Sequence, residues 1–100
     1  MFTAMSLHRH ATRRDASEQP VKRALENLGW TVQGLSIPGG PDLLAGKQGR
    51  DVLIECKTGR VKVRANQIAW HRWWKGSPVW VVRTAEAAVE LDRRFTEGDV

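Results

Sequence analysis

The chain has 100 residues, 41% of them apolar and 27% charged, which sets one domain with one modest core and excludes wholesale disorder. Sixteen Lys and Arg outnumber eleven Asp and Glu, and the net charge of +5 suits a polyanionic partner, nucleic acid first. Cys56 is the single cysteine, so an intramolecular disulfide and a multi-thiolate zinc site are excluded.

No apolar run of about 18 residues is present, so no transmembrane helix is expected. Met1 to Leu7 lacks the basic start of a signal peptide, and a cytoplasmic location is expected. Residues 1–16 read as a flexible basic arm, with His8, Arg9, His10, Arg13 and Arg14 and little apolar periodicity after Leu7. Residues 17–95 read as the single folded domain, and 96–100 as a frayed tail.

The spacing predicts a first helix from near Ser17, whose hydroxyl is expected to cap as an acceptor. Pro20 falls in the first turn, where its missing N–H does no harm. Val21, Leu25 and Leu28 repeat at helical spacing, and Gly29 ends the pattern. Glu18 lies on that apolar stripe and is expected to point at whatever the helix covers. Trp30 to Leu35 alternates as a strand, with Trp30 and Val32 on one face, and the SIPGGP segment from Ser36 to Pro41 is a loop.

Asp42 to Ala45 is a short strand opening with an acid, and Gly46 to Arg50 has the glycine content of a hairpin turn. Asp51 to Lys57 (DVLIECK) is apolar on both faces apart from Glu55, the mark of a central strand. Thr58 to Arg64 is a basic connection. Asn66 to Lys75 reads as a helix closed by Gly76, with Ala69, Trp70, Trp73 and Trp74 on one side and Gln67 at its edge. Five of the seven aromatics are Trp, and several are expected to fill the core, with Trp70, Trp73 and Trp74 as core or dimer interface. Pro78 to Arg83 is another strand. Thr84 is positioned to cap a last helix, Ala85 to about Phe95, with Ala88, Leu91 and Phe95 inward. The order is helix, three-strand meander, helix, strand, helix, an α/β layer fold with a mixed sheet.

The residues that carry chemistry are Asp42, Glu55 and Lys57. Alternation puts Glu55 and Lys57 on one face of the strand and Cys56 on the other. If the two strands pair through the Gly46–Arg50 turn, Asp42 reaches the end of the strand that carries Glu55. Two hard carboxylates a strand spacing apart, with the Cys56 backbone carbonyl as a third oxygen, make a site for Mg²⁺. Lys57 then suits the positioning of water or the stabilisation of a charged phosphorane-like transition state. On spacing alone the alternative stands beside it: a solvated Glu–Lys pair on a strand face. Arg60, Lys62 and Arg64 alternate with Gly59, Val61 and Val63, which suits either a ribbon that tracks phosphates or a solvated basic loop. Arg13 and Arg14 in the arm are further candidate DNA contacts. Cys56 reads as a small buried hydrophobe.

Pro41-Asp42, twelve residues, then Glu55-Cys56-Lys57 resembles the PD-(D/E)XK nuclease motif. With Glu18, Gly29-Trp30, Ile54 to Thr58, Gln67 with Trp70, Gly76 and Val79 to Arg83, the chain is similar to the VRR-NUC domain and, more distantly, to archaeal Holliday junction resolvases. The resemblance covers roughly residues 18–91 and implies a restriction-endonuclease-like core in a minimal, stand-alone nuclease. It implies Asp42 and Glu55 as Mg²⁺ ligands, with Mn²⁺ as a substitute, and Lys57 as the residue assisting the attacking water. It further implies Glu18 as an accessory acid near the metal and Gln67 as a residue orienting the site. Cys56 replaces a commoner aliphatic residue, and Arg64 stands where a helix-capping Ser or Thr is usual.

The expected activity is Mg²⁺-dependent, structure-selective endonucleolytic cleavage of branched DNA, such as Holliday junctions or flaps, by a homodimer. A non-catalytic nucleic-acid-binding module and a protein-interaction subunit are the alternatives.

Overall fold

The computed structural model describes residues 15–59 and 64–98. The expected DNA contacts Arg13, Arg14, Arg60 and Lys62, and the arm before residue 15, lie outside the described residues. The elements run α1 (Glu18–Asn27), β1 (Thr31–Gly34), β2 (Leu43–Lys47), β3 (Arg50–Cys56), α2 (Ala65–Trp73), β4 (Val79–Val82) and α3 (Ala85–Thr96). The four strands form one sheet in the order β1-β2-β3-β4. The first three are an antiparallel meander, and β4 joins β3 in parallel. The expected α/β class and mixed sheet are therefore observed, and β3 is internal.

The hairpin between β2 and β3 turns on two residues, Gln48 (φ 55°) and Gly49 (φ 77°), between the Lys47–Arg50 pair. Two successive left-handed residues are the type I′ geometry that matches strand twist. That turn fixes the pairing of Leu43 with Ile54 and Ala45 with Val52. These four side chains are buried on one face of the sheet. Val21 and Leu25 of α1 and Ala88, Leu91 and Phe95 of α3 close over them, with Trp30 and Cys56, as a single core. Trp30 meets Phe95 edge-on at 4.6 Å between centroids, and its Nε1–H donates to Asp92 Oδ1 at 2.9 Å. Thr84 caps α3, accepting from the Ala87 N–H at 3.0 Å. The left-handed stop of α1 at Gly29 (φ 96°) is present.

Two expectations are corrected. Ser17 makes no acceptor cap on α1. Its hydroxyl instead donates to Asp15 Oδ1 at 2.6 Å, so the nearest strong acceptor takes the proton. The tryptophans of α2 do not fill the core: α2 buries no residue, and Trp73 is 68% exposed. A nine-residue helix turns only about two and a half times, and only one row of it faces the sheet. Trp70 and Trp74, four residues apart, are half-buried on that row and stack at 5.3 Å. No helix among the described residues is long and apolar enough to cross a membrane.

Candidate active site

The site forms where β2 begins and β3 ends. The Asp42 N–H donates to the Ile54 carbonyl at 2.9 Å, and the Asp42 carbonyl accepts from the Leu35 N–H at 2.8 Å. Asp42 is thus stitched between two strands just before β2. A Cβ at Gly40 would lie 2.7 Å from Ile37 Cγ2, so the preceding loop has room for no side chain at that point. The Asp42 carboxylate accepts the Cys56 N–H on Oδ2 at 2.8 Å. This bond ties the first acid of the motif to the backbone between the other two residues. A strand residue's N–H and C=O leave the chain on the same side, so the Cys56 carbonyl is turned toward the Asp42 edge too.

Glu55 and Lys57 project from the sheet face opposite the core. Glu55 is 1% exposed and Lys57 6% exposed, and Lys57 Nζ lies 3.4 Å from Glu55 Oε2. Gln67, in the first turn of α2, donates from Nε2 to the same Oε2 at 2.6 Å. The Gln67 Oε1 accepts the Arg64 N–H at 2.9 Å. Arg64 has no acceptor of its own to cap the helix, and Gln67 supplies only the reciprocal half of a capping box, accepting the Arg64 N–H while fixing Glu55. Arg64 is exposed and stands at the cleft rim.

Asp42, Glu55, Lys57, Arg64 and Gln67, with Cys56 and Asp15, line one cleft of about 130 Å³. Burial, followed by the nearby Asp42 carboxylate, raises the Glu55 carboxyl to about 7, against the lowering pull of Lys57. Glu55 Oε1 is buried, and no donor among the described residues reaches it. A buried carboxylate oxygen without a donor, beside a second carboxylate, is costly as it stands. A hard divalent cation answers both defects, so the donor set fits Mg²⁺. The residues that would hold it are Asp42, Glu55 and the Cys56 carbonyl.

Glu18 is buried, as its stripe position predicts, but it does not line this cleft. Burial, followed by the Asp42 and Glu18 carboxylates, pushes the Cys56 thiol well up. Among the described residues no group of three His, Cys, Asp or Glu is arranged to hold a metal. The thiol of Cys56 is buried in the core and protonated, and takes no part.

Sequence reasoning missed Asp15, which it placed in the arm. Asp15 lines the cleft and bonds to Thr58 across 43 positions. No periodicity announces such a contact.

No family model matches the chain, and no curated protein matches it. A solved structure described as a "VRR_NUC domain" does: 27% identical, covering 79% of this chain and 92% of that one, at a TM-score of 0.67. The mixed four-strand sheet with three helices is consistent with the restriction-endonuclease-like architecture of that domain. Within that class, it is the VRR-NUC nuclease domain that this chain is similar to over most of both lengths.

Proposed function

We propose that this domain is a Mg²⁺-dependent endonuclease that hydrolyses backbone phosphodiesters of branched DNA, four-way junctions or flaps, acting in the cytoplasm. The observation that carries the reading is the convergence of Asp42, Glu55, Lys57 and Gln67 on one cleft, with Glu55 Oε1 buried and unserved.

The reaction adds water across a P–O bond. Lys57 places an ammonium beside the acids, where it holds the attacking water and meets charge building on the phosphate. Gln67 locks Glu55 in one orientation through Oε2 and leaves Oε1 without a donor among the described residues. Asp42 is aligned by the Cys56 N–H. A divalent cation, Mg²⁺ or Mn²⁺, supplies Lewis-acid neutralisation of the developing phosphate charge when bound. The net charge of +5 draws the substrate in. Arg13, Arg14, Arg60, Lys62 and Arg64 are the residues assigned to its phosphates.

So small a domain has little surface for reading bases, and shape is the property left to recognise. A four-way junction requires two symmetric cuts, which a two-fold homodimer supplies. Trp73 and Ile68, exposed on α2, are the apolar surface available for it.

The test is a gel assay with Mg²⁺ on duplex, single strand, flap, fork and four-way junction, comparing wild type with Asp42→Ala. Cleavage of branched substrates by wild type alone is expected. DNA shifted but uncut by both proteins would assign the fold to binding without chemistry.

A further inference from the structure

The cleft holds a third carboxylate that the motif does not include. Asp15 sits three residues before α1, lines the cleft with Asp42 and Glu55, and could be taken for another metal ligand. Its hydrogen bonds argue otherwise. Oδ1 accepts from the Ser17 N–H at 2.8 Å, from the Ser17 hydroxyl at 2.6 Å and from the Thr58 hydroxyl. Oδ2 accepts from the Thr58 N–H at 3.0 Å. Three donors crowd Oδ1 and one occupies Oδ2, so the carboxylate is committed to donors of this chain. Burial opposes the charge, yet the bonds from Ser17 and Thr58 outweigh it and bring the carboxyl down to about 2.

The position of those donors gives the function. Thr58 follows Lys57 directly, and Ser17 precedes Glu18 directly. The ladder is weak at that point: the Lys57 N–H reaches the Val82 carbonyl only at 3.4 Å. One residue further on, Arg83 Nη1 donates to the Gly59 carbonyl at 2.7 Å. Two side chains of opposite charge therefore grip successive residues just past the catalytic lysine, where sheet bonding gives out.

We propose that Asp15 is a positioning residue for Lys57: it clamps Thr58 to the start of α1 and so holds the lysine beside Glu55. The proposal rests on the nuclease reading for its catalytic consequence, but the clamp itself is measured separately.

The experiment compares wild type, Asp15→Ala, Thr58→Val and Thr58→Ser in the full chain. Amide hydrogen exchange at Lys57 and Thr58 reports the clamp, and steady-state cleavage reports its consequence. Asp15→Ala is expected to speed exchange at both amides and to lower kcat by about 10- to 100-fold, the scale of an ångström's misplacement at a reacting centre. KM for DNA is expected to stay within about twofold. Thr58→Val loses the hydroxyl donor alone and falls between, and Thr58→Ser, which restores a donor, recovers most of that loss. If Asp15→Ala does not fold, Thr58→Val against Thr58→Ser carries the test.

Unchanged exchange at Thr58 in Asp15→Ala overturns the clamp. Faster exchange with unchanged kcat overturns the positioning role. If wild type cuts no DNA, the nuclease reading has failed and the positioning role falls with it, while the exchange data still decide whether the clamp exists.

Discussion

The two faces of the sheet are built on opposite rules. One is covered by α1 and α3 and packed with Leu43, Ala45, Val52, Ile54 and Cys56 against Val21, Leu25, Leu91 and Phe95. The other carries Glu55 and Lys57, and is covered by α2, none of whose own residues is buried. Beneath Trp70 and Trp74 that second face keeps an apolar cleft of about 320 Å³, lined also by Leu35, Leu44 and Leu53. The first face holds the fold, whereas the second accepts an unserved carboxylate oxygen and two tightly spaced acids. Such strain is tolerable because β3, internal to the sheet, is pinned from behind.

Substitutions should separate the two faces. The largest effect is on chemistry. Asp42→Asn keeps an oxygen for the Cys56 N–H, and Lys57→Met removes the ammonium while keeping an apolar stem of similar length. Each is expected to lower kcat/KM by about 10³-fold or more, with a thermal midpoint near wild type. Wild-type cleavage by either purified variant would break the site assignment.

On the other face, Phe95→Ala is expected to cost about 3–5 kcal/mol by denaturant titration, with activity per folded molecule retained.

A smaller effect joins the two faces through pH. In the unfolded chain Glu55 titrates near 4.5, and in the folded protein near 7. The folded state holds the proton more tightly between those values, so metal-free stability falls as pH rises through that window. The loss is about 3 kcal/mol. Glu55→Gln should flatten this slope in melts scanned from pH 4 to 8, and added Mg²⁺ should oppose it in wild type alone. An unchanged slope in Glu55→Gln would place the titration elsewhere.

The smallest effect is on α2. Trp73→Ser should alter monomer stability by no more than about 0.5 kcal/mol, since the ring is 68% exposed. A larger loss that depends on protein concentration would show that a second copy covers it.

Most of the fold was legible because it rests on local signals. The period of Val21, Leu25 and Leu28, the glycines of the hairpin and the two-sided apolarity of β3 each report on their own neighbourhood. The alternation of Glu55, Cys56 and Lys57 likewise placed acid and amine together. What was not legible depends on partners distant in sequence. Asp15 meets Thr58 only because α1 returns to the end of β3. The Ser17 hydroxyl serves as donor because that carboxylate is there. The burial of Glu18 was readable from its stripe, but its absence from the residues lining the cleft was not. The exposure of Trp73 follows from how little of a short helix touches the sheet, which composition does not reveal.

The turn at Gln48-Gly49 acts as a proofreading device for folding. A slip of one residue in the β2–β3 register would exchange the two faces of β3. The Cys56 thiol would then enter the cleft, while Glu55 and Lys57 would be driven among Val21, Leu25 and Phe95. The misregistered chain would empty its cleft of acid and amine and bury a charged pair among apolar side chains at once. No slipped conformer can persist as a stable alternative, because the error that dismantles the cleft also dissolves the core.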